Sequence, residues 1–567
     1  MRGPVRKGLL PLALALAAVL TGCGQPAAES LSPRPSEGVE TSAPENSAVP
    51  TPKPIPTDGP YVYTDYSQLE DNSPRPDRYV RWHGEFTDHL IPSPDYGPLI
   101  PFSGDGAMEE WEVADYGAEG LMTLDGKVVV DPVYSAVTQL CSGGDIAFGR
   151  PDTYYPAFLL SRYTGEGSKG DPNSLFVAYD DVRSRLCALD GSWVTEEYRF
   201  SYNTLCYGNG VQDGAVFALR DERFLVLLDV STGEEIFDLD LDGLSENTIR
   251  DNILNYVHYG DGRIVLNTYL YGYNTPYLRC WEVNGNEIFF PDDVDGAYGF
   301  SEGLCPARRT GGEGYAWGYL GLDGQWAIPP QFTDATSFDG GVALLGTHAH
   351  TLIDREGNIL YETPTYDRCQ KTGDYWYFCG YSGDAGLVLD KGGNEVNSPL
   401  LHGGYVDALN YGWAVMTNAD GSYTLAKGEK SWPIPAGWGY AWAGNVTEYA
   451  IYLTQWTKDV TDNKPHWAIW KPESGKAPTV FSGNFDSLRT DPVTGERYCV
   501  IYDDYSSGRY HITDLSGKTL FDGLSGWPRL YAGRCLTKTT GSNGKTVELR
   551  DQSGAVLFRR TWEDPFG

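Results

Sequence analysis

The sequence has few methionines and few positive charges for its length. Met occurs 4 times in 567 residues, and 43 Lys and Arg stand against 77 Asp and Glu, for a formal net charge of −34. A field of that sign repels phosphate backbones and anionic lipid head groups, so nucleic acid is not an expected partner. The apolar runs are also shorter than the ~20 residues that cross a bilayer as a helix.

Motifs of the common enzyme classes are missing as well. We find no Gly-rich phosphate loop, no Gly-x-Ser-x-Gly elbow and no zinc-protease helix motif. Carboxylate pairs are too frequent in so acidic a chain to nominate a general acid and its base. The residues therefore name no catalytic group, and an extracytoplasmic propeller enzyme such as a glycan hydrolase stays open as the alternative function.

The N-terminus has the pattern of a secretory signal. Arg2, Arg6 and Lys7 precede an apolar run over 9–20, which is too short to span a membrane and is typical of a signal peptide. The run ends in Leu-Thr-Gly-Cys23, which resembles the lipobox of bacterial lipoproteins. That resemblance implies cleavage after residue 22, a diacylglyceryl group and fatty acyl chains such as palmitate on Cys23, and anchoring on the extracytoplasmic face of the cell membrane.

The segment after Cys23 differs in composition from everything that follows. Residues 23–59 are rich in Pro, Ser, Glu, Thr and Ala and have almost no large apolar side chain. Such a segment cannot offset the entropy of ordering by burial, so we expect a disordered, lipid-anchored linker. Residues 60–567, with alternating apolar and polar residues and many Gly-containing turns, are expected to form the folded β domain.

A short unit recurs along this domain. Its clearest copy is 315–332, Tyr-Ala-Trp-Gly-Tyr-Leu-Gly-Leu-Asp-Gly-Gln-Trp-Ala-Ile-Pro-Pro-Gln-Phe, and 120–134 aligns with it on the turn glycine. Asp-Gly between two apolar runs predicts a hairpin whose two turn positions both have positive φ, and Pro329-Pro330 should end the second strand. Fainter copies surround further turns, at Gly191, Gly233, Gly285, Gly357, 387–396, Gly517 and Gly554.

The unit at 315–332 resembles a WG repeat, with Trp317-Gly318 as the naming dipeptide. Phe300-Ser-Glu-Gly-Leu304 and Phe338-Asp-Gly-Gly-Val342 resemble the strands that open such units. The resemblance implies an all-β, propeller-like array of hairpin or blade units, found often on surface lipoproteins and without shared catalytic residues. A lone hairpin is marginal in water, so units must cover one another. One ring of about seven or more blades and two smaller propellers both remain open.

Two patterns are candidate metal sites. Asp238, Asp240 and Asp242, followed by Glu246, place oxygens as in Asp-rich calcium loops; the alternative is a strand with the aspartates facing outward. His348 and His350 would share one strand face, as zinc ligands do, although His350 also aligns with the repeat position of Trp317.

Aromatic stretches and cysteines complete the candidates. The segments 269–277 and 375–378 could present stacking surfaces to sugars or peptides, or pack within the sheets. Cysteine pairs 369/379 and 280/305 could form disulfides outside the cell, or stay free as small apolar residues. Together these features predict a lipid-anchored, non-enzymatic binding or scaffold protein that contacts cell-wall glycan, a peptide or another surface protein.

Overall fold

The described part of the chain is all-β except for short helical turns. The computed structural model describes residues 90–103, 119–134, 136–142, 153–163, 182–243, 253–267, 277–310, 316–345, 350–363, 368–379, 385–398, 405–410, 412–440, 451–454, 466–503, 508–541 and 544–562. The chain divides into units 1–62 and 63–567, and all of these residues belong to the second. The predicted signal peptide, Cys23 and the linker lie outside them. Across the described ranges, no helix is long and apolar enough to span a membrane.

The described residues form eleven antiparallel sheets, here called sheets 1 to 11 in chain order. Sheet 1 contains β1 Leu99–Ser103, β2 Glu119–Thr123 and β3 Val128–Tyr134, and sheet 2 contains β4 Ala136–Ser142, β5 Thr153–Tyr163, β6 Val182–Ala188 and β7 Val194–Tyr198. Sheet 3 contains β8 Val211–Gln212, β9 Ala215–Arg220, β10 Phe224–Asp229 and β11 Glu235–Asp240. Sheet 4 contains β12 Val257–Gly260, β13 Arg263–Asn267, β14 Leu278–Glu282 and β15 Glu287–Ile288. Sheet 5 contains β16 Val294–Ala297, β17 Leu304–Arg309, β18 Ala316–Gly321 and β19 Trp326–Phe332. Sheet 6 contains β20 Val342–Leu345, β21 His350–Asp354 and β22 Ile359–Thr363, and sheet 7 contains β23 Arg368–Thr372, β24 Tyr375–Cys379 and β25 Ala385–Asp390. Sheet 8 contains β26 Tyr405–Asn410, β27 Trp413–Thr417, β28 Tyr423–Lys427 and β29 Lys430–Pro433, and sheet 9 contains β30 Gly439–Tyr440, β31 Ile451–Thr454, β32 His466–Trp470 and β33 Thr479–Ser482. Sheet 10 contains β34 Asn484–Thr490, β35 Arg497–Tyr502, β36 Arg509–Asp514 and β37 Thr519–Ser525. Sheet 11 contains β38 Trp527–Tyr531, β39 Arg534–Gly541, β40 Gly544–Asp551 and β41 Val556–Trp562.

Helical structure is confined to connections. The helix α1 Tyr202–Tyr207 joins sheets 2 and 3; the Ser201 hydroxyl accepts from the Thr204 amide, and Gly208 ends the helix in the left-handed conformation. The described residues also form short 3₁₀ turns, at Pro94–Tyr96, Leu241–Gly243, Ile253–Asn255 and Pro472–Ser474.

The position of a strand within its sheet sets its burial. In sheet 5 the middle strands β17 and β18 are buried along most of their length, while the fourth strand β19 is exposed at every second or third residue. Neighbouring sheets cover both faces of the middle strands, which explains their nearly continuous apolar runs. First strands of consecutive sheets contact one another, as β4, β8 and β12 do. The first strands therefore lie on the inner side of the array and the fourth strands at its outer edge.

The sheets pack on their neighbours in chain order through a repeated contact. In several sheets the turn glycine near the last strand lies against the last strand of the sheet before it, as Gly324 does on Ile288 and Gly357 on Ile328. Gly126 of sheet 1 makes the same contact with Leu557 of sheet 11. Sheet 1 also shares a buried core with sheet 11, as sheet 10 does with sheets 9 and 11, so the described sheets form one closed series.

Carboxylates in the turns after first strands accept hydrogen bonds from backbone amides that belong to the next sheet or directly precede it. Asp261 accepts from the Gly303 amide at 2.7 Å, and Glu302 accepts from the amides of Gly340 and Gly341 at 2.6 and 2.8 Å. Further round the ring, Asp491 accepts from the Ala532 amide at 2.7 Å. Each turn thereby fixes the position of the next sheet near the inner strands.

Two details of the predicted hairpin are wrong. At the third-to-fourth-strand turns only the glycine has positive φ, as at Gly324 (78°), because the loop contains one more residue than expected and ends in a bulge. Turns with two positive φ values join first to second strands instead, as at Asp261-Gly262 (51° and 71°). Pro329 and Pro330 do not end β19, because the outer edge strand accommodates them in a bulge and continues to Phe332.

Candidate functional site

Seven arginines and lysines of the described residues stand over an aromatic ring. Five of them are also paired with a carboxylate, so they act as cross-links within or between sheets. These are Arg220 with Glu235, Arg223 with Asp240, Arg279 with Glu287, Arg308 with Asp295 and Lys371 with Asp339. The other two, Lys427 and Arg489, have no carboxylate partner among the described residues. In a chain with a net charge of −34, a positioned cation without a counter-charge is the feature that needs explaining.

Arg489 projects from β34, the inner strand of sheet 10, toward sheet 11. Its guanidinium carbon is 5.0 Å from the centre of the Trp527 ring, and Trp527 begins β38, the inner strand of sheet 11. The Arg489 Nε donates to the Ser487 hydroxyl at 3.2 Å. A ring contact and one hydrogen bond hold the stem of the side chain, and the terminal nitrogens make no hydrogen bond or ion pair within the described residues.

The surroundings of Arg489 are aromatic and polar. Tyr510 packs edge-on against Trp527, with 5.4 Å between ring centres. Tyr498, opposite Arg489 in the strand register, accepts from the Leu530 amide at 3.2 Å. Burial raises the pKa of Tyr498, and the positive charges of Arg489 and Arg529 oppose that increase.

A buried acceptor lies on the same inner strand. The Asp486 Oδ2 atom is buried and has no hydrogen-bond partner among the described residues. We call Ser487, Arg489 and Trp527 the Arg489 site. A guanidinium with free terminal nitrogens binds a carboxylate through two parallel hydrogen bonds, and an aromatic ring beside it can pack on the apolar part of the same ligand. The arrangement suits the binding of an anionic ligand.

The glycine of the Trp-Gly dipeptide has a steric function. A Cβ on Gly318 would lie 2.5 Å from the Ile328 carbonyl oxygen and 2.8 Å from the Pro330 nitrogen. The bulge that accommodates Pro329 and Pro330 therefore presses its backbone against residue 318. Trp317 is 7% exposed and stacks on Tyr298 at 5.4 Å, so it is a core residue.

Comparison with known proteins agrees with this unit. Residues 317–345 match the family model described as a WG containing repeat. The chain contains a WG repeat. The match covers the outer half of sheet 5 and continues into β20 of sheet 6, so the WG repeat joins two neighbouring sheets. No curated protein matches the chain.

Solved structures give low-scoring similarities beyond the WG repeat. BamB from Moraxella catarrhalis is 12% identical, over 61% of this chain and 91% of that one, at a TM-score of 0.24. The designed Ika8 protein is 11% identical, over 60% and 90%, at 0.24. PorZ, a surface component of the type-IX secretion system of Porphyromonas gingivalis, is 12% identical, over 63% and 58%, at 0.21. Scores of this size assign no function.

The aspartates of the predicted calcium loop face arginines. Asp240 and Asp242 pair with Arg223, the latter at 3.1 Å, and Asp238 lies 3.8 Å from Arg220. In the described residues, no group of three His, Cys, Asp or Glu could hold a metal. Glu246 and His348 lie outside the described residues. His350 occupies the register position of Trp317 in its own sheet.

The predicted aromatic surface at 375–378 is not a surface. Trp376, Tyr377 and Phe378 are at most 6% exposed and pack between sheets, so this stretch is core. Of the stretch 269–277 the structure describes Tyr277, whose hydroxyl accepts from Arg279 at 3.0 Å. Neighbouring sheets cover both faces of these strands, which outweighs the affinity of a phenol tip for water.

Cys280 and Cys305 are free thiols, so they do not form the disulfide considered for them. The pair 369/379 stays a prediction, because the side chain of Cys379 is not among those that the structure describes. Cys280 and Cys305 share the core between sheets 4 and 5. Burial raises the pKa of Cys280 to about 12, so its thiol stays protonated. These residues act as small apolar groups in the structure.

A hydrolase site would need carboxyl groups that converge with raised pKa values. Burial raises the pKa of Asp491 above its usual value. Its oxygens accept from the amides of Val493, Thr494 and Ala532, so it fixes two turns.

Sequence reasoning missed the Arg489 site because Arg489 and Trp527 belong to different sheets and no local motif connects them.

Proposed function

We propose that the protein is a lipid-anchored binding module on the extracytoplasmic face of the cell membrane, and that the Arg489 site takes a carboxylate of its ligand. The signal pattern and the Leu-Thr-Gly-Cys23 sequence support the anchor. A linker over 23–59 would let the closed ring of sheets reach material beyond the membrane.

One observation carries the binding proposal. Arg489 is held by Trp527 and Ser487 on the inner strands, yet no carboxylate of this acidic chain pairs with it among the described residues. A positioned guanidinium loses less side-chain freedom on binding, which favours a bidentate carboxylate partner. Wall glycan with its attached peptides is rich in free carboxylates and lies where the anchor would hold the protein.

Binding of soluble wall fragments tests the ligand. The full chain, purified in detergent, is titrated with muropeptides that keep their free carboxylates and with the same fragments after amidation. We expect Arg489→Leu to weaken binding to the carboxylate form about tenfold or more, as for loss of a charge-assisted hydrogen bond. Amidation should weaken binding to the native chain and have little further effect on the variant.

Arg223→Gln is the matched control, because Arg223 also stands over an aromatic ring but is already paired with Asp240. Equal affinity of the Arg489→Leu variant and the native chain would refute the site. Anchoring is tested separately: Cys23→Ser should move the protein from the membrane fraction to the soluble fraction.

A further inference from the structure

The second unpaired cation lies in sheet 8. Lys427 ends β28, and its ammonium nitrogen is 4.7 Å from the centre of the Trp413 ring, at the start of β27. The register places Ala414 opposite Ala426, so Trp413 and Lys427 are neighbours across the two strands. No carboxylate pairs with Lys427 among the described residues; Glu429, in the adjacent turn, is exposed and makes no ion pair with it.

Trp413 adds a second donor without an acceptor. The side chain is 1% exposed, and its indole Nε1 is buried with no hydrogen-bond partner in the described residues. A buried donor left unpaired costs about 1–3 kcal/mol. The Lys427 ammonium group lies 4.7 Å from the centre of the ring that carries this N–H, and both donors are complementary to one chemical group: an anionic oxygen.

The surroundings of this pair are aromatic and cationic. Trp432 tilts against Trp413 with ring centres 5.5 Å apart, and it is partly exposed. Lys430 lies opposite Lys427 in the register and is exposed. The turn of sheet 8 thus concentrates two lysines beside tryptophan rings.

Lys371 and Trp376 of sheet 7 form a similar pair in which the lysine has a counter-charge. The Lys371 ammonium lies 5.7 Å from the centre of the Trp376 ring, and it binds Asp339 at 2.8 Å. The Trp376 Nε1 is also buried without a hydrogen-bond partner in the described residues, so the two pairs differ in the lysine. In sheet 8 the lysine lacks a carboxylate of the described residues.

We propose that Lys427 and Trp413 form a binding site for an oxyanion, a carboxylate or a phosphate group, that is separate from the Arg489 site. The ammonium group supplies the counter-charge and the Trp413 Nε1–H donates a hydrogen bond to the same group. Trp432 covers the apolar part of the ligand that carries it. This site needs no wall glycan and does not depend on the proposed function.

Nuclear magnetic resonance of the indole groups tests the site directly. The full chain labelled with ¹⁵N at tryptophan is titrated with sodium phosphate and, separately, with sodium acetate, at an ionic strength kept constant with sodium chloride. The Trp413 signal is assigned as the one absent from Trp413→Phe. We expect it to shift in a saturable way with at least one anion, and the anion that acts identifies the preferred oxyanion.

Lys427→Met should weaken that response about tenfold or more, because the charge of the site is lost. Lys371→Met, which removes a lysine already paired within the protein, should leave the Trp413 response unchanged. The remaining indole signals report whether each variant is folded. An unshifted Trp413 signal with both anions, or an equal shift in Lys427→Met, would overturn the proposal.

Discussion

Gly126 of sheet 1 lies against the backbone of Leu557 of sheet 11. A Cβ at residue 126 would stand 2.7 Å from the Leu557 carbonyl oxygen and 3.0 Å from the Phe558 Cβ. Nearby, the Arg534 Nε donates to the Leu124 carbonyl oxygen at 3.2 Å. These contacts join the two ends of the described series of sheets, so the stability of the ring should depend on them.

Gly126→Ala should therefore destabilise the ring more than an ordinary turn substitution. Gly285→Ala is the control: its φ of 88° matches the 83° of Gly126, but nothing lies within 4 Å of its Cβ position. The control should lose about 1 kcal/mol for the left-handed backbone. Gly126→Ala should lose about 1–3 kcal/mol more through the clash, seen as a lower urea midpoint. Equal losses would show that the closing contact is unimportant.

The Trp-Gly dipeptide gives a second prediction. Gly318→Ala should cost about 1–3 kcal/mol, because the methyl group would push the bulge at Pro329 and Pro330 away from β18. Gly321→Ala, in the same strand with its closest contact at 3.2 Å, should cost less than 1 kcal/mol. Urea unfolding compares the two, and a similar loss for both would reject the steric explanation of the glycine.

Glu302 links sheets 5 and 6 by a carboxylate that accepts from two amides, at Gly340 and Gly341. Glu302→Ala should lose about 1–2 kcal/mol, since both charge-assisted bonds disappear while the left-handed backbone at φ 54° stays equally strained. Glu302→Gln keeps one carbonyl acceptor and should lose less. The difference in urea unfolding midpoint between the two variants measures the contribution of the carboxylate contact to stability. Equal midpoints would show that this contact does not stabilise the fold.

The hairpins could be predicted from sequence because their signals are local. Nearly every turn glycine named in the sequence, such as Gly191 and Gly517, has positive φ between a third and a fourth strand. Asp420-Gly421 of sheet 8 forms a similar turn, but it joins the second and third strands, β27 and β28. In sheet 9 the connection is a 3₁₀ turn at Pro472–Ser474, which has no Asp-Gly pair.

Contacts between sheets could not be predicted in the same way. Arg489 and Trp527 meet because sheets 10 and 11 are neighbours in a ring, and a single sequence contains neither the number of sheets nor their closure. The burial of Trp376 likewise depends on the sheet beside it and not on its own strand. Alternation along a strand indicates a β-structure but not which face a neighbour covers.

The turn carboxylates predict a loss of stability in acid. At Asp551 the Ser553 hydroxyl, which donates at 2.6 Å, lowers the pKa of the carboxyl group; the Ser553 and Ala555 amides act in the same direction. A pKa lower in the folded than in the unfolded chain stabilises the fold above the unfolded value. That contribution is lost as the pH falls through the folded value. The urea midpoint of the native chain should fall as the pH is lowered from about 6 to about 3. The urea midpoint of Asp551→Asn should fall less steeply over the same pH range.

The aspartates at 238–242 give the last prediction. Arg223 donates through Nε to the Asp240 Oδ1 at 3.0 Å and lies 3.1 Å from an Asp242 oxygen, so the lone pairs that calcium would need are already engaged. Millimolar calcium should therefore leave the unfolding temperature of the native chain unchanged. Arg223→Gln removes the competing cation and should make the chain calcium-responsive, because three carboxylates then repel one another on one strand and its turn. A calcium-dependent rise in the unfolding temperature of the native chain would instead establish the loop, with Glu246 as its fourth ligand, as a cation site.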